Sequence, residues 1–220
     1  MSESNGKPSH QADLDNQAPG RQKGPRQKPL NSAVPFGSAL KAPRWAWWVA
    51  TGLGSGWLRP APGTWGSLSG LGAWCLFTFA VTRHLPLTQL GKAAMEGLFI
   101  LVIGLMTWLA VWASDLVVGE TGEKDPGYIV ADEWVGIWVT LWPLRWEAHR
   151  LATLGGWRWA VVLALPFLVF RLLDIWKPWP VYQIQALPGG QGIVADDLVA
   201  GLYGLPLVAL ITPWMLLWVG

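Results

Sequence analysis

The chain has 220 residues, of which 52% are apolar and only 14% are charged, whereas about 25% are charged in ordinary soluble domains. Its 18 tryptophans indicate contact with a membrane–water interface, and its single cysteine, Cys75, excludes an intrachain disulfide framework. A membrane protein of one domain is therefore favoured over a soluble protein with a tryptophan-rich core.

The first 44 residues form a basic and polar segment. They hold seven of the 16 Lys and Arg residues but only three of the 14 acids, and they are rich in Gly, Pro, Gln and Ser. This composition predicts a disordered tail over residues 1–44, followed by one helical domain over residues 45–220. The tail has no apolar core of its own, so it is not a secretory signal, and its charges favour weak contact with anionic lipids.

Apolar segments predict an all-α, multi-helical membrane protein with about four to five helices. Residues 45–58 are apolar but short and glycine-rich. The predicted helices cover residues 64–81, 97–118, 132–142, 157–176 and 196–219. Thr64 is the expected N-cap of the first helix, and Pro178 stops the fourth. Four of the five approach the roughly 20 residues that span a bilayer, while residues 132–142 are too few.

Alternating helices would bring three loops to one face, over residues 54–64, 119–133 and 174–197. Five carboxylates lie on or beside these loops: Asp132, Glu133, Asp174, Asp196 and Asp197. A carboxylate at the centre of a bilayer costs roughly 2.5–3.5 kcal/mol, so we expect these five to gather in one polar pocket. Asp115 is expected at the membrane interface instead, since no similar pattern surrounds it.

Carboxylates without histidine or cysteine partners are typical of a hard cation, so Mg²⁺ is the expected cofactor. Arg171 and Lys177 flank Asp174 at helical spacing and are candidates for binding phosphate. A structural ion pair is the alternative for this segment, and helix capping is the alternative for each adjacent acid pair. Glycine-rich backbone makes Ser55 and Thr64 further candidate phosphate-binding positions.

Four segments closely resemble motifs of the phosphatidylglycerophosphatase A family. They are residues 54–68 (GSGWLRPAPGTWGSL), 125–136 (DPGYIVADEWVG), 170–180 (FRLLDIWKPWP) and 189–201 (GGQGIVADDLVAG). The resemblance runs from about residue 45 to residue 220. It implies an all-helical, Mg²⁺-dependent hydrolase that converts phosphatidylglycerophosphate to phosphatidylglycerol in phospholipid biosynthesis at the bacterial inner membrane. The five carboxylates would then be both the metal ligands and the catalytic groups.

A small intramembrane cation transporter or channel is the alternative function, because the same carboxylates could line a cation pathway. Their expected clustering at one face, together with Arg171 and Lys177, favours the phosphatase. A catalytically silent relative is disfavoured because every motif acid is present. We expect a phospholipid partner and no nucleic acid, with the active site facing the cytoplasm because the basic tail shares that face.

Overall fold

A computed structural model describes residues 41–84, 88–155 and 157–219, so the predicted tail lies almost entirely outside the described residues. Within the described ranges the chain forms helices and turns but no strand, which confirms the all-α fold. The helices are α1 (Arg44–Ala50), α2 (Pro62–His84), α3 (Gln89–Thr121), α4 (Ala131–Thr140), α5 (Ala148–Thr153), α6 (Trp157–Trp176), α7 (Val181–Ile184) and α8 (Gly189–Val219). Short 3₁₀ turns cover Ser55–Trp57 and Trp142–Glu147.

Three helices, α3, α6 and α8, are long and apolar enough to cross a membrane by length and composition. The 23-residue α2 is not one of them, although the sequence analysis counted it among the near-spanning segments. Its first three turns carry Gly63, Thr64, Gly66, Ser67, Ser69, Gly70 and Gly72, and these small and polar residues lower its hydropathy.

Three predicted helix starts were wrong. The second helix begins at Gln89, eight residues before the expected residue 97. The first helix begins at Pro62, so Thr64 lies inside its first turn and is not the N-cap. The last helix begins at Gly189, seven residues before Asp196. Glycine-rich sequence is a weak helix former in isolation, and tertiary contacts at the start of α8 override that tendency.

The short helix α4 lies at the centre of the fold, and nearly all of its residues are buried. It packs closely on α8 at a pair of glycines. A Cβ atom at Gly201 would lie 2.5 Å from the Gly136 carbonyl oxygen, so the two main chains can meet only without side chains there. This close approach sets the first turn of α4 beside the second turn of α8, and both turns carry acid pairs.

Cys75 lies partly buried on α2 and packs against the main apolar core. Burial raises the pKa of its thiol to about 11. A thiol that stays protonated is a poor nucleophile, so the surroundings of this residue suit a packing role in the core.

Candidate active site

A cavity of about 450 Å³ opens where the N-terminal ends of α2, α4 and α8 meet the C-terminal end of α6. The structure brings all seven of the predicted charged residues to its wall. They are Asp132, Glu133, Arg171, Asp174, Lys177, Asp196 and Asp197. The expectation that three loops share one face, and that their acids gather there, is therefore met in the geometry.

Three carboxylates form the buried centre of this cavity. Asp132, Glu133 and Asp197 each present an oxygen, and these oxygens all lie within 4.8 Å of one another. One oxygen of each group is buried without a hydrogen-bond partner in the described part of the chain: Asp132 Oδ1, Glu133 Oε2 and Asp197 Oδ2. Buried carboxylate oxygens left unpaired are costly, so the arrangement fits a bound cation.

Burial shifts the titration of the two acids on α4. The pKa of Glu133 is raised to about 8, chiefly by burial. A hydrogen bond with Asp132 and the charge of Arg171 lower this pKa, while the negative charges of Asp197 and Asp174 raise it. Burial, followed by the charge of Glu133, raises the pKa of Asp132 well above its usual range. Without a metal, Glu133 therefore keeps its proton near neutral pH, and a divalent cation would displace that proton on binding.

Two cations face these acids from the end of α6. The Arg171 guanidinium lies 2.6 Å from Asp174 Oδ2 and 3.9 Å from Glu133 Oε1. It also donates a 3.4 Å hydrogen bond to the Ser67 hydroxyl of α2. These partners hold the planar guanidinium across the cavity wall, where its remaining N–H groups suit a phosphate oxygen.

Lys177 follows the last residue of α6 and has a left-handed backbone with φ of 46°. Pro178 prevents the helix from continuing, and the turn directs the ammonium group toward α8. There Nζ lies 2.6 Å from Asp196 Oδ2. Burial lowers the pKa of Lys177, but the hydrogen bond to Asp196 and the negative charges of Asp196, Asp197 and Asp174 together outweigh burial and raise the pKa. This group therefore stays charged.

Ser55 and Thr64, the further candidate phosphate-binding positions, do not line this cavity. The Ser55 hydroxyl donates to the Gly52 carbonyl at 2.8 Å and accepts from the Ser69 hydroxyl at 2.9 Å. In this segment Gly63 lines the cavity instead, and a Cβ there would collide with the Glu133 carboxylate. The segment therefore approaches the site through its backbone, which is possible only at a residue without a side chain.

Sequence reasoning missed three polar residues at the cavity mouth, Lys124, Asp125 and Gln185. Gln185 Nε2 donates a 3.4 Å hydrogen bond to Asp125 Oδ2. The contact ties the loop after α3 to the segment before α8. The turn signature Asp125-Pro126-Gly127 could have suggested a fixed loop, but nothing in the pattern around Gln185 points to the site.

Asp115 does not line the cavity. Its Oδ1 accepts a 2.6 Å hydrogen bond from the Gly190 backbone N–H, so this carboxylate caps the start of α8 from a neighbouring helix. The expectation that Asp115 stands apart from the site agrees with this position, although its role as a cap was not anticipated.

Comparisons with known proteins agree with the geometry. The sequence model of the phosphatidylglycerophosphatase A family matches residues 48–212. The chain is 35% identical to phosphatidylglycerophosphatase A of Escherichia coli strain K12 over 155 residues, which cover 70% of this chain and 76% of the relative. It is 34% identical to phosphatidylglycerophosphatase A of Haemophilus influenzae over 169 residues, covering 76% of this chain and 89% of the relative.

A third relative carries a different name. A Bacteroides thetaiotaomicron protein provisionally named phosphatidylinositol-3-phosphatase is 35% identical over 170 residues, covering 76% of this chain and 93% of the relative. No solved structure matches the chain significantly. The family match spans well over half of the sequence and includes all nine charged residues of the cavity wall, the seven predicted ones together with Lys124 and Asp125. The chain belongs to the phosphatidylglycerophosphatase A family and is a phosphoric monoester hydrolase.

Proposed function

We propose that this protein hydrolyses phosphatidylglycerophosphate to phosphatidylglycerol and inorganic phosphate in bacterial phospholipid biosynthesis. One observation carries the proposal: a single cavity joins unpaired buried carboxylate oxygens, suited to a cation, with two cations suited to phosphate. The names of the Escherichia coli and Haemophilus influenzae relatives supply the lipid. Three apolar helices reach this cavity or end beside it, which suits a substrate anchored in a membrane.

Mg²⁺ is the metal that best fits the donors. Asp132, Glu133 and Asp197 would hold it, with Asp174 and Asp196 at the edge of the cluster. All of these ligands are hard oxygen donors, and Mg²⁺ in proteins usually combines a few carboxylates with phosphate oxygens of the substrate. When bound, the metal supplies Lewis-acid stabilisation of negative charge on the phosphoryl oxygens.

The remaining chemistry belongs to the side chains. Arg171 and Lys177 bind the non-bridging oxygens of the terminal phosphate, each held in place by its own carboxylate. A carboxylate of the cavity accepts the proton of the attacking water as the new bond from oxygen to phosphorus forms. The bond from phosphorus to the glycerol oxygen then breaks, and that oxygen takes up a proton to become the free hydroxyl of phosphatidylglycerol.

The proposed location is the inner membrane, with the cavity facing the cytoplasm. Three apolar helices support membrane insertion. The orientation rests on the excess of Lys and Arg in the tail, which is expected on the cavity's side, since such residues are enriched in cytoplasmic segments.

The test is phosphate release by the purified full-length protein in detergent, with phosphatidylglycerophosphate as substrate. EDTA should stop turnover, and excess Mg²⁺ should restore it; EDTA saturated beforehand with Mg²⁺ is the control. Release that continues without any divalent cation would contradict the metal assignment. Cation flux across proteoliposomes without phosphate release would support the transporter alternative instead.

A further inference from the structure

Lys124 is an exposed lysine on the wall of the active-site cavity. It lies in the loop that follows α3, three residues beyond the last helical residue, Thr121. The proposed mechanism gives it no task, because the terminal phosphate is already bound by Arg171 and Lys177. Lys124 is therefore a cation at the mouth of the cavity that is available to bind a different anionic group.

The three cations of the cavity differ in how they are paired. Arg171 and Lys177 each lie 2.6 Å from a carboxylate of the site. Lys124, by contrast, forms no ion pair with any residue in the described part of the chain. Its charge is therefore available to an incoming anion without first breaking an existing contact.

Two hydrogen bonds hold the loop that carries Lys124, one to the segment before α8 and one to the last turn of α3. The next residue, Asp125, accepts a 3.4 Å hydrogen bond from Gln185, which belongs to the segment before α8. At the helix end, Gly122 adopts a left-handed conformation with φ of 71°, and its N–H donates a 2.8 Å hydrogen bond to the Val118 carbonyl. Both contacts fix the path of the short loop, so Lys124 is presented at a defined place.

Lys124 lies farther from the buried centre of the cavity than the proposed metal ligands do. The carboxylate oxygens proposed to bind metal are buried at the centre, whereas Lys124 is exposed at the rim and adjoins the end of an apolar helix long enough to cross a membrane. A phospholipid entering from the bilayer would place its terminal phosphate at the centre and the part of its headgroup nearest the acyl chains at the rim.

We propose that Lys124 binds the phosphodiester group of the substrate, the phosphate nearer the acyl chains. This inference rests on the proposed function, in which the lipid carries two phosphates separated by one glycerol unit. The cavity volume of about 450 Å³ lies within the range of small-molecule sites, about 300–1,000 Å³, and leaves room for more than one phosphate. Lys124 thereby selects lipids with a second phosphate over simple phosphate monoesters.

The decisive experiment compares the Lys124→Gln variant with the wild-type protein in detergent. The KM for phosphatidylglycerophosphate should rise about two- to fivefold, as for loss of one solvent-exposed charge contact, with little change in kcat. The matched control is Lys92→Gln, which removes an exposed lysine outside the cavity wall and should leave both constants unchanged.

Two inhibitors distinguish phosphate binding at the rim of the cavity from phosphate binding at its centre. Phosphatidylglycerol keeps the phosphodiester but lacks the terminal phosphate, so its inhibition constant should rise with the KM in Lys124→Gln. Inorganic phosphate occupies only the central subsite, and its inhibition constant should not change. Raised salt should reduce the difference between variant and wild type, because screening weakens exposed charge contacts.

The contrary outcomes distinguish failure of the role given to Lys124 from failure of the proposed function. An unchanged KM in Lys124→Gln, with an active wild-type enzyme, overturns the role of Lys124 and leaves the proposed function standing. An equal rise in the inhibition constants of both inhibitors also overturns it, since it would show a general disturbance of the site. Failure of the wild-type enzyme to release phosphate from phosphatidylglycerophosphate overturns the proposed function itself, and this inference with it.

Discussion

Asp115 on α3 and Gly190 on α8 are joined by a 2.6 Å hydrogen bond from the Gly190 N–H to the carboxylate. The adjoining Gly189 has φ of 61°, and a Cβ on it would collide with the Asp115 carboxylate. An acid from another helix thus caps α8 at a place where only glycine fits. The cap lets α8 begin seven residues before Asp196, and it therefore fixes the turn that carries two acids of the site.

Replacing Asp115 with alanine should lower the free energy of unfolding by about 1 kcal/mol, the usual cost of losing an N-terminal cap. The Asp115→Asn variant keeps an acceptor oxygen, so its free energy of unfolding should fall by less. Thermal unfolding in detergent measures both effects, and phosphate release at low temperature should stay near the wild-type rate. A folded Asp115→Ala protein without activity would show that this acid takes part in the chemistry.

Asp197→Asn should abolish activity but stabilise the metal-free protein. The substitution removes one of three carboxylates whose oxygens lie within 4.8 Å of one another, and relief of one like-charge contact is worth on the order of 1 kcal/mol. In the wild type, added Mg²⁺ should raise the melting temperature; in the variant this increase should be lost. A variant less stable than the metal-free wild type would argue that the three acids are not in electrostatic conflict.

Arg171→Lys should raise the KM about tenfold. Lysine lacks the planar group of N–H donors with which Arg171 can bind Asp174, Ser67 and a phosphate oxygen at the same time. The matched control on the same helix is Arg158→Lys, an exposed arginine near the start of α6. Steady-state phosphate release provides the constants. Equal effects from the two substitutions would remove the specific role given to Arg171.

The acids of the site could be predicted from sequence because charged groups at the ends of apolar segments are costly unless they meet. Asp132 and Asp196 follow from that rule together with simple alternation of helices. The rule says nothing about Gly63, which matters through the absence of a side chain. A separate argument, from glycine-rich backbone, led to Ser55, whose hydroxyl donates to the Gly52 carbonyl of its own loop. Contacts between distant residues, such as Asp115 with Gly190, leave no local pattern.

Deleting residues 1–40 should leave kcat in detergent within about twofold of the wild-type value, since every residue of the cavity wall lies beyond position 62. The basic tail is proposed to touch anionic lipid, a contact of about 1 kcal/mol for each charge near the surface that weakens with salt. The contact between tail and lipid is measured by the binding of a tail peptide to anionic vesicles at two salt concentrations. A truncated protein that folds but has no activity would contradict this division of roles.

Gly136→Ala should damage the site through the packing of helices. A Cβ on Gly136 would collide with the Phe170 ring and lie 2.7 Å from the Asp197 carbonyl oxygen. The variant must therefore move α8 away from α4, and overpacking of this kind costs about 1–3 kcal/mol. Because Asp197 moves with α8, the affinity for Mg²⁺ should fall together with stability.

The control for this substitution is Gly104→Ala on α3, where an added Cβ meets no atom within 4 Å in the described part of the chain. Alanine in place of a helical glycine there should stabilise the protein by about 0.5–1 kcal/mol. Thermal unfolding and Mg²⁺ titration of the two variants separate local packing from the general effect of glycine replacement. If Gly136→Ala kept the wild-type Mg²⁺ affinity, the close contact of α4 with α8 would not be what places Asp197 beside Asp132 and Glu133.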